Sequence, residues 1–223
     1  MPSTVVHTAF ALLIAAALLD VVDRRVFAVV VVALLFPELD TVAGWYMDGA
    51  HRALLHNVVV TAIAAAVLYW ETNREESWLR DRVGDRGVWV GWVVLFAHTV
   101  AHLGLDWAHL EGINVFYPVY DRFFRLEGEM YLSTTEGLVQ TFVEFEETTA
   151  ADGTADVEVD VGAGGTTADT HVGNPAEPSE TPDDDVVDRR FPIAVQGWQL
   201  YLIASSAFVL LARRLQTPLD TEE

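Results

Sequence analysis

Five long apolar segments divide the chain, and their lengths predict an all-α membrane protein. A helix needs about 20 mostly apolar residues to cross the hydrocarbon core of a bilayer. We therefore predict an integral-membrane helical bundle of about five transmembrane helices, which makes the protein a multi-pass component of the cell membrane. The segments span residues 5–22, 26–45, 53–70, 88–106 and 193–212.

The polar connections between these segments differ in kind. The tight turn at 23–25 makes the first two helices an antiparallel hairpin, and residues 71–87 form a polar loop. Residues 107–143 carry aromatic patches, which predict short interfacial helices or a cap over a site. The first segment resembles a signal peptide in length, but it has no basic start and contains His7, so we expect a retained helix.

Residues 144–190 stand apart because they are acidic, poor in apolar residues and rich in turn-forming residues. Such a composition predicts a disordered insert before the last helix, with a short strand at 157–161 as the only order. The predicted organisation is therefore a membrane helical domain over 1–143, an acidic insert over 144–190, and a final helix with a short tail over 191–223.

The charge composition is unusual for a membrane protein. The formal net charge is −20, and the 13 basic residues are all Arg, with no Lys. Because an acidic surface stays soluble where salt screens charge, we expect a salt-loving, haloarchaeal-type host. A preference for Arg codons in a GC-rich genome is the simpler explanation of the missing Lys. The acidic balance argues against nucleic acid as a partner and against a basic patch for anionic lipid headgroups.

The Arg residues also predict an orientation. The pairs at 24–25 and 213–214 and the loop 71–87 lie on one side if all five segments span the membrane. The positive-inside rule places that side in the cytoplasm, so the N-terminus and the acidic insert face outward. The basic residues at 122, 125, 189 and 190 oppose this assignment.

Ionisable residues within the apolar segments converge on one level. His7 and Asp40 lie about 15 residues from the turn at 23–25, and His56 and His102 lie as far from the loop 71–87. At 1.5 Å per residue, each lies about 22–25 Å from the cytoplasmic end. Intramembrane ionisable groups are costly unless they are paired or bind something. We therefore predict one polar site near the outer leaflet.

A metal ion is the predicted occupant of this site. The chain has no Cys, so only imidazoles and carboxylates are available as ligands. His102 and Asp106 are four residues apart and share a helix face, with His98 one turn deeper as a supporting residue. His51 and His56 are five apart, so one binds and the other lies in the entering loop.

Each of these residues also has a plain structural interpretation. An intramembrane His often bonds two helices together, and the His98 face would then be a simple polar seam. Glu38 and Asp40 would cap a helix broken by Pro37, and Arg52 would be an interfacial anchor. Two further histidines, His109 and His171, are predicted at the surface.

The order of these residues resembles the family of membrane-bound metal-dependent hydrolases that includes the YdjM-like, LexA-regulated inner-membrane proteins. The matching pattern covers about residues 1–130. It departs from the family at Glu38, where Asp is usual, and at Ala53 and Leu55, where Gly and Thr are usual. The matching residues are His7, Pro37-Glu38-Leu39-Asp40, the two histidines and Arg of 51–56, His102 and Asp106 of 102–106, and Pro118.

The resemblance implies a hydrolase with a divalent metal, zinc being favoured, that acts on a phosphoester or ester of a small-molecule, lipid or lipid-linked substrate. The ligands would then be His7, Asp40, His56, His102 and Asp106. Catalytic roles would fall to Glu38 as general base or bridging ligand and to Arg52 as the anchor of a substrate anion. His51 or His98 would be a proton shuttle or would orient a ligand. The alternatives are a transporter or ion-binding protein that uses the same residues, and a membrane protein whose polar groups only join helices. The oligomeric state stays open.

Overall fold

The structure, a computed structural model, describes residues 2–47, 49–109, 112–149, 155–160, 162–169 and 193–216. It is mostly helical. Helix α1 spans Thr4–Leu18 and α2 spans Arg24–Leu35. Ser3 and Asp23 cap their N-termini with side-chain oxygens that accept backbone N–H groups. The two helices pack against each other across the short link between them, as the turn at 23–25 predicted.

Pro37 interrupts the second apolar segment, as expected of a residue that cannot donate a backbone hydrogen bond. A short 3₁₀ turn covers Pro37–Leu39, and helix α3 covers Asp40–Ala43. The broken helix as a whole, Arg24–Ala43, is long and apolar enough to cross a membrane. The break therefore places Glu38 and Asp40 near the end of a candidate span.

The third and fourth apolar segments form two helices that extend further toward the polar connection between them than the sequence predicted. Helix α4 spans Val58–Thr72, and α5 spans Trp78–His98. The prediction of a polar loop over 71–87 is wrong, because Ser77 caps a helix that starts at Trp78. Gly84 takes a positive φ of 68°, which breaks the helical path within α5 and is favourable for a residue without Cβ.

The fourth apolar segment ends in a widened turn. Residues Thr99–Leu103 form a π-helical turn, and helix α6 follows at Gly104–Trp107. Together with α5 they make a second candidate span, Trp78–Trp107. Thr4–Leu18 and Val58–Thr72 are shorter apolar helices, so among the described residues two helices, rather than five, are long and apolar enough to cross alone.

Helix α7, Gly197–Gln216, packs along α1. Its Arg213 donates to the carbonyl oxygens of Leu19 and Asp20, which fixes its C-terminal end beside the α1–α2 link. The apolar core lies between α1, α2 and α5 and consists mainly of Ala, Val and Leu, which allow close helix approach. Its buried residues are Ala11, Leu12, Ala15, Leu19, Val26, Val30, Leu34, Val90, Val93, Val94, Ala97 and Ala101.

Two antiparallel hairpins lie between α6 and α7 along the chain. Strands β1 (Met130–Ser133) and β2 (Gly137–Gln140) pair with each other, and β3 (Glu144–Thr149) pairs with β4 (Ala155–Asp160). The predicted interfacial helices within 107–143 are wrong for the described residues beyond Trp107, which form turns, a bridge and this first hairpin. β4 covers most of the predicted strand, but the insert also contributes β3.

Candidate metal centre

Two imidazole nitrogens meet at the centre of the predicted polar site. The Nε2 atoms of His56 and His102 are 2.8 Å apart, and both rings are buried. Asp106 Oδ2 lies 3.7 Å from the first and 3.6 Å from the second. Three potential ligand atoms from the loop before α4 and from the end of the α5–α6 span therefore face one point.

Glu38 adds a second carboxylate to this group. Its Oε1 lies 4.0 Å from His102 Nε2, and potential ligand atoms of Glu38, His56 and His102 all lie within 4.8 Å of one another. Thr4 donates a hydrogen bond of 3.2 Å to the same Oε1. The Glu38 side chain is 21% exposed, whereas the two histidines are buried, so Glu38 lies on the accessible side of the cluster.

His7 reaches the cluster from α1. Its Nδ1 donates to the Ala101 carbonyl oxygen at 2.7 Å, and its Nε2 then lies 3.5 Å from Asp106 Oδ1. The His7 ring stacks on His102 with 4.4 Å between centroids. The π turn at Thr99–Leu103 favours this stacking, because i→i+5 hydrogen bonding widens the helix where the two rings meet.

Asp40 holds the loop that carries the other histidines. Its Oδ1 accepts from His51 Nδ1 at 2.9 Å, and its Oδ2 accepts from His56 Nδ1 at 2.6 Å and from the Arg52 amide at 3.1 Å. Both oxygens are thus engaged, and the bond to Nδ1 leaves the Nε2 lone pair of His56 facing His102. A carboxylate that orients a ligating imidazole through its other nitrogen is common in metal sites.

Arg52 lies inside the site rather than at its entrance. Its side chain is fully buried, Nη2 donates to Asp106 Oδ1 at 3.0 Å, and Nη1 donates to the Gly112 carbonyl at 3.3 Å. Its backbone has a φ of 62°, and the Asn114 amide donates to its carbonyl at 3.0 Å. These contacts favour a role in holding Asp106 over the predicted role of anchoring a substrate anion.

The donor set fits a zinc-like ion. Zinc is held by imidazole nitrogens at about 2.0–2.1 Å in tetrahedral sites, which separates two nitrogen ligands by about 3.3 Å. The 2.8 Å between the His56 and His102 nitrogens is about half an ångström shorter, a difference that small ring movements cover. The structure thus provides a buried His and carboxylate cluster that could hold a metal ion.

The structure brings all eight predicted site residues into this one region, from α1, the broken helix 24–43, the loop before α4 and the end of the α5–α6 span. His51 and His56 both lie in the loop because α4 begins after Asn57, so the predicted start of the third apolar helix at residue 53 is too early. His98 stacks on His102 at 5.5 Å between centroids. His109 is partly exposed, and His171 lies outside the described residues.

Sequence reasoning missed three residues that support the site. Thr4 holds Glu38, as described above. Asn57 is fully buried; its Oδ1 accepts the Val60 amide, and its amide donates to carbonyls of the loop. Asn114 is also buried and joins the Arg52 backbone to Asp121. An Asn next to an apolar run was the available signal for the last two.

The comparison with known proteins agrees with the pattern of residues. No curated protein and no solved structure gives a significant match. The family model described as "YdjM inner membrane protein" matches residues 1–155, which include every residue of the cluster and both candidate spans. This chain therefore belongs to the YdjM inner membrane protein family.

Proposed function

We propose that the protein is a membrane-bound metal-dependent hydrolase that acts on a phosphoester or ester of a lipid or lipid-linked substrate. The observation that carries the proposal is the convergence of His56 Nε2, His102 Nε2 and Asp106 Oδ2, all within 3.7 Å of one another and buried. Buried ionisable groups in this number are hard to explain by helix packing alone, because each is costly without a charged partner.

The ligand set that the geometry supports best differs in part from the one that the resemblance implies. His56, His102 and Asp106 would bind the ion, with Glu38 beside them. His7 would complete the set or hold Asp106 in place. Because both oxygens of Asp40 already accept hydrogen bonds, we assign Asp40 to orienting His56 and His51.

A divalent ion at this position would polarise the substrate oxygen and lower the pKa of a nearby water. In the hydrolysis that we propose, the water oxygen forms a bond to phosphorus or to the ester carbon, and the bond to the leaving alkoxide breaks. Glu38, the most accessible carboxylate of the cluster, takes the proton of the water and returns it to the leaving oxygen. Arg52 holds Asp106 in place through this exchange by its hydrogen bond to Oδ1.

The membrane setting favours a substrate that comes from the bilayer. We propose that all five apolar helices span the membrane, with the site near the outer leaflet. Two of them are long enough to do so alone, and the other three would span with the help of their flanking residues.

The composition bears on the host. The acidic, Lys-free composition supports a salt-loving, archaeal host.

Metal content is the primary test. We expect elemental analysis of the protein purified in mild detergent to find at least about one zinc-like ion per chain. We also expect this protein to cleave p-nitrophenyl phosphodiesters or esters. His102→Ala and Asp106→Ala should remove both metal and turnover, while His109→Ala, outside the cluster, should keep both. Unchanged metal stoichiometry in the two cluster variants would contradict the proposal.

A transporter or ion-binding protein is the second candidate, and the broken helix 24–43 favours it. Transporters often place ionisable groups at interrupted helices. In this case proteoliposomes would show zinc flux that His102→Ala abolishes, with no turnover of any ester. Turnover without flux would exclude it.

A further inference from the structure

An apolar groove lies between α2, α4 and α5, and one end of it is lined by His98, which stacks on His102 of the candidate metal centre. Its walls come from α2 and α4, and its floor comes from α5. We call it the α2–α4 groove. Its volume is about 300 Å³. It is lined by Ala33, Phe36, Val60, Thr61, Ala64, Leu68, Gly91, Val94, Leu95 and His98.

The groove exists because α4 stands away from the rest of the bundle. Helix α4 packs on α5 and on the π turn, and its one buried residue is Thr72. The floor is low at Gly91, where a Cβ would only just touch the Leu68 side chain, at 3.6 Å. Side chains on either wall therefore leave a channel over α5 that is open at the surface of the helices.

The polar end of the groove adjoins the metal centre. His98 lines this end, is 9% exposed, and its buried Nδ1 has no hydrogen-bond partner among the described residues. The His98 ring stacks on His102, a candidate ligand, at 5.5 Å between centroids. An unsatisfied buried nitrogen is costly, and a polar group of a bound molecule at this point would satisfy it.

We infer that the α2–α4 groove binds one hydrocarbon chain of a lipid-linked phosphoester, so that the ester bond lies at the metal centre; this inference rests on the proposed function. The lining is apolar apart from Thr61 and His98, which suits a chain with a polar head at one end. The volume lies at the lower limit of small-molecule pockets, which is enough for one chain but not for a whole two-chain lipid.

The length of the floor sets how many carbons of the chain the groove can hold. His98 and Gly91 are separated by about two turns of α5, roughly 10 Å, which corresponds to about eight carbons of an extended chain. Longer chains would continue into the bilayer beyond Leu68. The groove would therefore select for the first segment of a chain rather than for its total length.

A matched pair of variants on one helix tests this assignment. Ala64→Trp fills the groove, whereas Ala66→Trp places the same ring at an exposed position of α4 that does not line it. The probe is dodecyl phosphate with a diazirine on its chain, cross-linked to the full-length protein in detergent and mapped by mass spectrometry. We expect labels on the groove residues of wild type, about fivefold fewer in Ala64→Trp, and no loss in Ala66→Trp.

Turnover gives an independent measurement with p-nitrophenyl alkyl phosphodiesters from methyl to dodecyl. In wild type kcat/KM should rise about two- to fourfold per added carbon, up to about eight carbons, and then level off. In Ala64→Trp the ratio of dodecyl to methyl turnover should fall at least tenfold, with metal content unchanged. Ala33→Phe, on the opposite wall, should repeat this result if Ala64→Trp fails to fold.

The outcomes separate the two proposals. Turnover that is independent of chain length, or labels spread evenly over all exposed apolar residues, would overturn the groove and leave the hydrolase intact. Absence of turnover from every substrate, together with labels confined to the groove, would overturn the hydrolase and leave a lipid-binding site beside the metal centre.

Discussion

The buried interior consists of two layers that obey different rules, an apolar one within α1, α2 and α5 and a polar one to which α1, α3, α6, the π turn and the loop before α4 contribute. Toward one end, α1, α2 and α5 meet through Ala, Val and Leu, which are buried and chemically interchangeable. Toward the other end, the chain buries imidazoles, carboxylates and a guanidinium that are each held by a named partner. We call these the apolar layer, defined by the core residues given above, and the polar layer. The polar layer comprises His7, Asp40, His51, Arg52, His56, His102 and Asp106.

The difference shows where the sequence is constrained by chemistry rather than by volume. In lipid, apolar side chains gain little by leaving acyl chains for a protein interior, so the apolar layer depends on close packing alone. Each polar-layer residue, in contrast, neutralises or hydrogen-bonds another, so that removal of one leaves its partner buried and unpaired. Variants should therefore cost more in the polar layer, which is the reverse of the usual experience with soluble cores.

The largest effect is expected from Arg52→Ala. In the metal-free protein this change leaves the buried Asp106 without its guanidinium partner, and such an uncompensated charge costs about 3–5 kcal/mol. The free energy of unfolding in mixed micelles measures the loss. Arg86→Ala is the matched control, since it breaks an exposed pair with Asp23 that is worth about 1 kcal/mol or less. Equal losses in the two variants would show that the polar layer is not the more sensitive one.

A smaller effect, specific to metal, is expected from Asp40→Asn. The amide accepts a hydrogen bond with one oxygen only, so His51 and His56 cannot both be held as they are now. Loss of such an orienting carboxylate typically lowers metal affinity about 10–100-fold. Competition with a chromophoric zinc chelator measures this affinity. Asp81→Asn, at an exposed position in the first turn of α5, should leave it unchanged; an unchanged affinity in Asp40→Asn would exclude the orienting role.

Local sequence rules predicted which residues form the helices and the polar level, but not how the polar residues pair. Helix positions and the common level of His7, Asp40, His56 and His102 follow from residue counts along straight helices. The break at Pro37 follows from the chemistry of proline. These local rules fixed which residues could meet. They could not assign partners, because partners depend on turns that tertiary contacts stabilise.

Two turns illustrate what local rules leave out. The loop before α4 turns both His51 and His56 onto Asp40 through a residue, Arg52, with a positive φ that its sequence does not favour. The π turn at Thr99–Leu103 adds a residue per turn that no spacing rule anticipates. Both lie beside the candidate metal centre, where function is the expected reason for departures from regular geometry.

Leu34→Ala tests the apolar layer in the same way. Leu34 is fully buried, whereas its neighbour Leu35 is 46% exposed. We expect Leu34→Ala to lower the free energy of unfolding by about 1–2 kcal/mol, below the range for soluble cores because lipid solvates the unpacked helices. Leu35→Ala should change it little, and both should keep full metal content. Metal loss in Leu34→Ala would mean that the layers are energetically coupled.

The smallest effect lies outside both layers, at the cap of α2. The hydrogen bond from the Val26 amide, together with Arg86, holds the pKa of Asp23 below its ordinary value. A depressed pKa means that the stabilisation is complete above about pH 4 and is lost as the pH falls through the lower, folded-state value. Asp23→Asn keeps an acceptor for the cap, so it should cost only a few tenths of a kcal/mol at pH 7.

The decisive measurement for Asp23 is how the stability difference between wild type and Asp23→Asn depends on pH. Thermal unfolding of wild type and Asp23→Asn in detergent should differ at pH 7 and converge as the pH falls below the lowered, folded-state pKa of Asp23, because protonation removes in wild type the charge that the variant never has. Acid also protonates groups of the polar layer, but it does so in both proteins, so the difference between them isolates the cap. Asp20→Asn, three residues earlier and exposed, is the control. If the gap between wild type and Asp23→Asn widens in acid, the cap is coupled to the polar layer and the two regions are not independent.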